Sequence, residues 1–424
     1  MLFQLSVTKA WLRQVTLGLI LLCHSSYRGV REFCRDLFDV NMSEGTVHNI
    51  VQDAVDKARP YNQQQPLANI DIAGLDEIFQ NRQPVFVGAD IGSGFCFLLS
   101  LEGQRDAETW GIRLLELQER GFAPKATVAD FGAAIRAGQK LAMPDITCRG
   151  DVFHALAEVT PLVTYLENRA YDAVAGQHKL EQKKTKTKKQ GRRTDALAQK
   201  TRFARQAEIK AVALADDIAL LARWLNYDIL AVSGLPYADR CALYDFIVAE
   251  LKAREPLCPH RIGPVGTLLK NQRDVLLAFT AQLDLDLTAL AAEFQVPVDC
   301  VRELLDLQAL DEHQSRRWQK EAGLRHKLGD RFYGLFARVQ DLADQVVRAS
   351  SIIENINSRL RPYFFLRRQL GADYLVLLQF FLNHHRFLRS EHPDRVGKSP
   401  AELLTGETHP HWLEMLGYRT FSRN

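Results

Sequence analysis

The segment Ser350-Ser351-Ile352-Ile353-Glu354-Asn355-Ile356-Asn357-Ser358-Arg359-Leu360-Arg361 sets one carboxylate near the start of a short helix, with amides and two arginines on the next turns. Far upstream, two aspartates stand in strand-like runs: Asp76 in Gly-Leu-Asp-Glu-Ile-Phe and Asp130 in Lys-Ala-Thr-Val-Ala-Asp. Moving a phosphodiester requires an activated oxygen nucleophile and a stabilised leaving oxygen, which two divalent ions about 4 Å apart supply together. Such ions, Mg2+ or Mn2+, take hard oxygen donors, so three carboxylates must converge on one point. Asp76, Asp130 and Glu354 are therefore the candidate catalytic residues and the candidate ligands of two ions. Asp151, His154, Asn357 and Arg361 form an auxiliary set. Arg361 lies two helical turns beyond Glu354 on roughly the same face, where a cation can hold a substrate phosphate.

Each main candidate also has an ordinary reading. Asp76 can be a solvent-facing acid on an edge strand. Asp130 can cap the helix that follows it, and Asp151 can do the same for the next one. Ser351-x-x-Glu354 matches a capping box, in which the glutamate only ties back to the cap amide. Glu77 and Asp71 are rivals to Asp76, but strand alternation puts Glu77 on the opposite face. Asp90 reads as a turn residue.

The elements that must position these residues begin at Ile70, where the apolar period becomes strand-like. Ile70–Phe79, Val85–Ile91 and Phe95–Leu101 read as three antiparallel strands, with turns at Asn81–Pro84 and Gly92–Gly94. A helix over Asp106–Arg120, a strand over Ala126–Ala129, a helix over Phe131–Leu141 and a strand over Ile146–Cys148 follow, and Asp151 opens a long helix. The order β-β-β-α-β-α-β describes a five-stranded mixed α/β sheet with flanking helices, the order of the ribonuclease H-like fold.

Residues 1–60 read as helical. Two short helices, a tight turn at Asp39–Met42 and a third helix capped by Ser43 fit a helix-turn-helix, which would offer Thr46, His48 and Asn49 to a DNA groove. The alternative is a plain helical hairpin. Residues 61–68 suit a linker, and residues 70–154 hold the first part of the core. Residues 155–345 show helical periodicity and almost no strand signal, so they read as an all-helical insertion. Within it, Lys179–Arg193 reads as a solvated mobile loop or a phosphate-binding strip, with Lys183, Lys184, Lys186, Lys188, Lys189, Arg192 and Arg193 as its cations. A second loop is expected over Arg254–Gly266. Residues 346–424 return to the core. They hold Glu354, a long apolar helix over Tyr363–His385 ending in a basic tip, and a short helix with Pro400 after a Ser399 cap.

The 424-residue chain is too long for one core. With 46% apolar and 25% charged residues it has a soluble, globular composition, and its net charge of +3 does not by itself point to nucleic acid. Its seven cysteines form no C-x-x-C and suit reduced thiols in a cytosolic protein. The apolar run Leu17–Cys23 is too short to span a bilayer, so a core helix and a cytoplasmic location are expected.

The chain resembles the bacterial insertion-sequence transposases of the DDE type. The resemblance rests on Leu75-Asp76-Glu77, Arg105-Asp106-Ala107-Glu108-x-Trp110, Asp130-Phe131-Gly132, Asp151-Val152-Phe153-His154, Glu354-Asn355-x-Asn357-Ser358-x-Leu360-Arg361 and Gly397-Lys398-Ser399-Pro400. It covers residues 70–154 and 348–406. The tyrosine-arginine-glutamate-lysine signature of one transposase branch is absent. The resemblance implies a metal-dependent enzyme that cuts and joins DNA, with Asp76, Asp130 and Glu354 holding two ions. It also implies that the helix-turn-helix, the basic insertion and Arg359 grip element ends and target duplex. A homodimer or larger assembly on DNA, associated with the nucleoid and with no membrane, would follow. A ribonuclease H-like nuclease without strand transfer, or an inactive DNA-binding derivative, shares these features.

Overall fold

The structure is a computed structural model that describes residues 7–347, 351–366, 370–390 and 392–419, the Ser351 side chain excepted. In chain order it holds α1 (Lys9–Leu21), α2 (Tyr27–Phe38), α3 (Glu44–Gln64), β1 (Ile72–Gln80), β2 (Gln83–Asp90), β3 (Cys96–Leu101), α4 (Ala107–Gln118), β4 (Ala126–Ala129), α5 (Ala133–Ala142) and β5 (Thr147–Gly150). Seven helices follow: α6 (Val152–Lys189), α7 (Asp195–Trp224), α8 (Tyr237–Arg254), α9 (Pro259–Glu293), α10 (Val298–Gln308), α11 (Ser315–Leu328) and α12 (Arg331–Gln345). The last four are α13 (Ser351–Leu366), α14 (Ala372–His384), α15 (Pro400–Thr405) and α16 (Trp412–Met415). The chain divides into two compact units. One joins Met1–Arg149 to Ser350–Asn424, and the other is Gly150–Ala349.

The first unit is built on one five-stranded mixed sheet in the order β3-β2-β1-β4-β5. β1 runs antiparallel to β2 and parallel to β4, which makes it central. The strand–helix order expected from the sequence holds throughout. β2 is buried along nearly its whole length because helices cover both faces of the sheet. Val85, Val87 and Ala89 point to one face, where α1–α3, α13 and α14 pack, and Phe86 points to the other, beneath α4 and α5. Trp110 of α4 stacks on Phe86 with ring centroids 3.9 Å apart.

The three N-terminal helices share a core with the sheet. Leu17, Ile20 and Leu21 of α1 are buried with Val47, Ile50 and Val51 of α3, which makes the apolar run at Leu17 a core helix as expected. Ser43 caps α3 through the Thr46 amide at 3.0 Å. α3 continues to Gln64, through much of the expected linker, because its second half is held by α14. Asn62 donates to the Val376 carbonyl at 2.9 Å, and Arg59 pairs with Asp373 at 2.8 Å.

The expected single helix over Tyr363–His385 is two. α13 ends at Leu366 and α14 starts at Ala372 behind Gly371, whose extended backbone breaks the helical path. The expected basic tip of that helix is also a correction. Asn383 and His384 are buried, and Asn383 pairs with the backbone of edge strand β3, accepting from Cys96 N at 2.7 Å and donating to Cys96 O at 2.9 Å. Ser399 caps α15 with Glu402 in a reciprocal capping box, as the Ser399-Pro400 pair implies.

Beyond Gly150, the second unit consists of helices and the turns between them among its described residues. The expected loop at Lys179–Arg193 is instead the end of α6. Lys and Gln are good helix formers, and no Gly or Pro interrupts the run before Gly191, whose φ of +67° reverses the chain. The expected loop at Arg254–Gly266 shrinks to a single 3-10 turn, because Pro259 occupies the first turn of α9, where its missing N–H costs nothing. α9 is the one helix among the described residues long and apolar enough to cross a membrane. Its Leu276, Leu277, Leu283 and Leu287 are buried within this unit. Arg240 is almost wholly buried, and its guanidinium donates to the carbonyls of Ile229, Ala231, Val232 and Leu235, fixing the turn between α7 and α8.

Gly74 of β1 is where the first unit is closed. A Cβ there would lie 2.6 Å from Ile353 Cγ1 of α13 and 2.7 Å from Ile91 Cδ1, so only glycine lets α13 approach the central strand. Overpacking of this kind costs about 1–3 kcal/mol. Gly74→Ala should lower the urea midpoint of the protein accordingly. An unchanged midpoint would show that α13 is not seated on β1.

Candidate functional site

Strand alternation on β1 separates Asp76 from Glu77. Glu77 faces α4, where Trp110 Nε1 donates to it at 2.7 Å and Arg105 pairs with it at 3.0 Å. It serves as a brace there, which removes it as a rival. Asp76 shares a face with Gly74, beneath α13, and is only 9% exposed. Asp71 lies outside β1 and pairs with Lys125 at 2.9 Å.

α13 brings the other carboxylate. A carboxylate oxygen of Asp76 and one of Glu354 lie within 4.8 Å of each other. Asn357, one turn after Glu354 and 1% exposed, donates from Nδ2 to Asp76 Oδ2 at 2.6 Å across 281 positions of sequence. Asp76 Oδ1 accepts from Glu77 N at 2.7 Å. The alternative of an exposed acid on an edge strand thus fails for Asp76, since the strand is central and the side chain buried. The capping-box alternative for Glu354 falls on Ser351, whose side chain lies outside the described residues.

Asp130 follows β4, the parallel neighbour of β1, and its charge acts on Asp76. Its Oδ1 accepts from Gly132 N at 2.9 Å, so it also shapes the turn into α5. The carboxyl of Asp76 is pushed up to about 6. Burial is the largest cause, and the charges of Asp130 and Glu354 add to it, against the lowering effect of the Glu77 N–H and of Asn357. Burial and the neighbouring charges of Asp130 and Glu354 therefore oppose ionisation of Asp76, and a cation beside it would relieve this.

The donor set fits a hard divalent ion. Asp76 and Glu354 each offer a carboxylate oxygen, and Asn357 Oδ1 is a further buried oxygen with no hydrogen-bond partner. Arg361 pairs with Glu354 at 3.6 Å and is well exposed, on the face expected for it.

The remaining expected residues are placed as follows. Asp151 and His154 belong to the second unit. Asp151 caps α6, accepting from Phe153 N at 2.7 Å and His154 N at 3.4 Å, which is its ordinary reading. Thr46, His48 and Asn49 are exposed on the first turns of α3. Lys183, Lys186, Lys188, Lys189, Arg192 and Arg193 are exposed at the far end of α6 and the turn after it, whereas Lys184 is half-buried. Arg359 is half-buried near Cys96, Tyr363 and His385, and burial lowers its pKa.

Sequence reading missed Gly74 and the Trp110–Glu77–Arg105 brace. A glycine inside a strand is a signal of close backbone approach, and Trp110 sits in a segment already singled out for other reasons. No known family model matches the chain, and no curated protein sequence does.

A carboxyl with a raised folded-state pKa holds its proton more tightly folded than unfolded. Ionising it therefore costs stability as pH rises from about 4, the unfolded value, to about 6. In EDTA the wild-type protein should lose stability across that window, and Asp76→Asn should flatten the loss. At pH 7, Mg2+ or Mn2+ at a hundred times its Kd should stabilise the wild type by about 2.7 kcal/mol and leave Asp76→Asn unmoved. Thermal unfolding with and without metal reads both effects. Equal responses from wild type and variant would remove Asp76 from any metal centre.

Proposed function

We propose that the chain is a DNA transposase of the DDE type, with the first unit as a ribonuclease H-like catalytic core. The observation that carries this is the meeting of Asp76 and Glu354 within 4.8 Å, with the charge of Asp130 felt at Asp76. These residues come from a central strand, a neighbouring strand end and a helix on the far side of a 200-residue helical unit. A structural ion pair does not explain three acids of one sign. The sheet order β3-β2-β1-β4-β5, with β2 antiparallel and β4 parallel to β1, supports the core assignment by analogy of topology.

In this reading Asp76, Asp130 and Glu354 would hold two divalent ions, which when bound would polarise the scissile phosphate and lower the pKa of an attacking water. Asn357 keeps the Asp76 carboxylate oriented. Arg361, released from Glu354, is placed to steady a phosphate oxygen. Water first hydrolyses a phosphodiester at the element's end. The freed 3′-hydroxyl then attacks a target phosphodiester in line and expels a 3′-oxygen, so the number of phosphodiester bonds is conserved in that step. The exposed Thr46, His48 and Asn49 of α3 supply groove contacts, and pairing two ends calls for two or more copies on DNA. A protein with this role works at the nucleoid in the cytoplasm.

The test is cleavage of a duplex carrying the element's end in the presence of Mg2+, followed by joining to a target plasmid. Wild type should do both. Asp130→Asn and Glu354→Gln should each lower both rates by at least about a thousandfold while end binding persists. Cleavage without joining would make the protein a nuclease. No cleavage by the wild type would sink the enzymatic reading.

A further inference from the structure

The far half of the α6–α7 hairpin carries a charge that the transposase reading only partly uses. Residues 175–210 contain twelve Lys and Arg against three Asp and Glu, a net charge of +9. The whole chain is +3, so the other residues together are −6. The excess continues past the lysine run of α6 onto α7, at Lys200, Arg202, Arg205 and Lys210, all exposed. None of the twelve cations forms an ion pair with an acid of this arm among the described residues. A concentration of charge this far from neutral repels itself, and a polyanion relieves it.

The arm is also stiff and thin. No residue from 171 to 200 is buried, so nothing but the partner helix covers it. On α6 the half-buried positions are Ala173, Gln177, Leu180, Lys184 and Thr187, the alternating three- and four-residue spacing of a coiled-coil seam. The cations outside that seam are directed to solvent on a helical rod. From Lys179 to Lys189 the rod advances about 15 Å, comparable to several phosphate spacings of a duplex.

We propose that this arm, α7 included, is a sequence-independent docking strip for the phosphate backbone of duplex DNA. The choice of duplex over single strand follows from composition. Among residues 175–210 the one Phe, Tyr or Trp is Phe203, which is exposed, whereas single-strand binders present several aromatic faces on which successive bases stack. Lys, Arg, Gln and Thr provide phosphate contacts and no base-reading surface held in a fixed groove geometry. The inference stands on charge placement alone and holds whether or not the acidic triad cuts DNA.

The experiment measures binding of the full chain to a 30-bp duplex of arbitrary sequence by fluorescence anisotropy, in EDTA so that the triad plays no part. Two quadruple variants are compared with wild type: Lys183→Ala/Lys186→Ala/Lys188→Ala/Lys189→Ala on α6, and Lys200→Ala/Arg202→Ala/Arg205→Ala/Lys210→Ala on α7. Each lost phosphate contact lowers the slope of log affinity against log salt by about 0.9. Each variant should therefore bind at least about tenfold more weakly at 0.1 M salt, with a slope shallower by about 2 or more. Affinity should not change when the duplex sequence is scrambled. Circular dichroism and unchanged Tm confirm folding, which these exposed substitutions should leave intact. Unaltered affinity and slope in both variants would overturn the proposal, and loss in the α6 variant alone would overturn its extension to α7. Tighter binding of single-stranded DNA or duplex RNA than of duplex DNA would overturn the choice of partner. Equal competition by polyglutamate at matched charge would reduce the arm to a general polyanion binder and overturn it too.

Discussion

The seating of α13 on the central strand is the constraint on which the first unit depends. Gly74 removes the one side chain that would hold the helix off, and Ile353 fills the space. The next residue of the helix is Glu354, and the next inward position of the strand is Asp76. Packing and chemistry are thus set by the same contact. Burying apolar surface at Ile353, Ile356 and Leu360 stabilises an arrangement that the nearby acids, by their mutual repulsion, oppose. Asn357 resolves part of that opposition by giving a buried carboxylate a donor. A cation could relieve the rest.

Other contacts hold this seating in place from a distance. The hydroxyl of Tyr363, two turns beyond Glu354, donates to the carbonyl of Leu21, which links α13 to α1. α14 is anchored on one side to edge strand β3 through Asn383 and on the other to α3 through Asn62. The N-terminal helices therefore act as a buttress for the helix that carries Glu354, besides whatever surface they present to a partner. The opposite face of the sheet is braced separately, by Trp110 lying on Phe86 and reaching Glu77. A central strand fixed from both sides is what allows a buried acid to keep one orientation.

Much of this was legible in the sequence. The strands are short, strongly apolar and punctuated by Gly, Asn and Pro, so their order and the place of Asp76 and Asp130 emerge from local pattern alone. The failures have a common cause in tertiary context. A run of lysines resembles a loop by charge, but lysine has no backbone reason to leave a helix, and a neighbouring α7 keeps the helix continuous. Asn383 and His384 look like a polar tip until an edge strand with unpaired backbone groups is placed beside them. There the amide becomes a substitute for a missing strand, and burial pushes His384 down to about 4. Arg359 follows the helical phase of Ile353, Ile356 and Leu360, which leaves it half-buried near Cys96 of β3. The convergence of Asp76 with Glu354 could not come from pattern at all. It joins residues 278 positions apart, and only an account of the whole topology brings them together.

The distribution of charge carries the argument one step further. A site of three acids repels the phosphate backbone it is proposed to act on, and the chain apart from the α6–α7 arm has a net negative charge. Attraction to a polyanion must then come from elsewhere in the molecule, and the arm is where the positive charge has been concentrated. On the proposed reading metal ions would relieve the repulsion locally, at the scale of a coordination shell, whereas the arm would act over the Debye length of about 8 Å at physiological salt and by direct contact. Separating the two tasks would let the acidic spot stay small while an exposed helical rod supplied the proposed affinity for nucleic acid. Weakening the arm should then reduce occupancy of the site without altering its chemistry, and altering an acid should do the reverse.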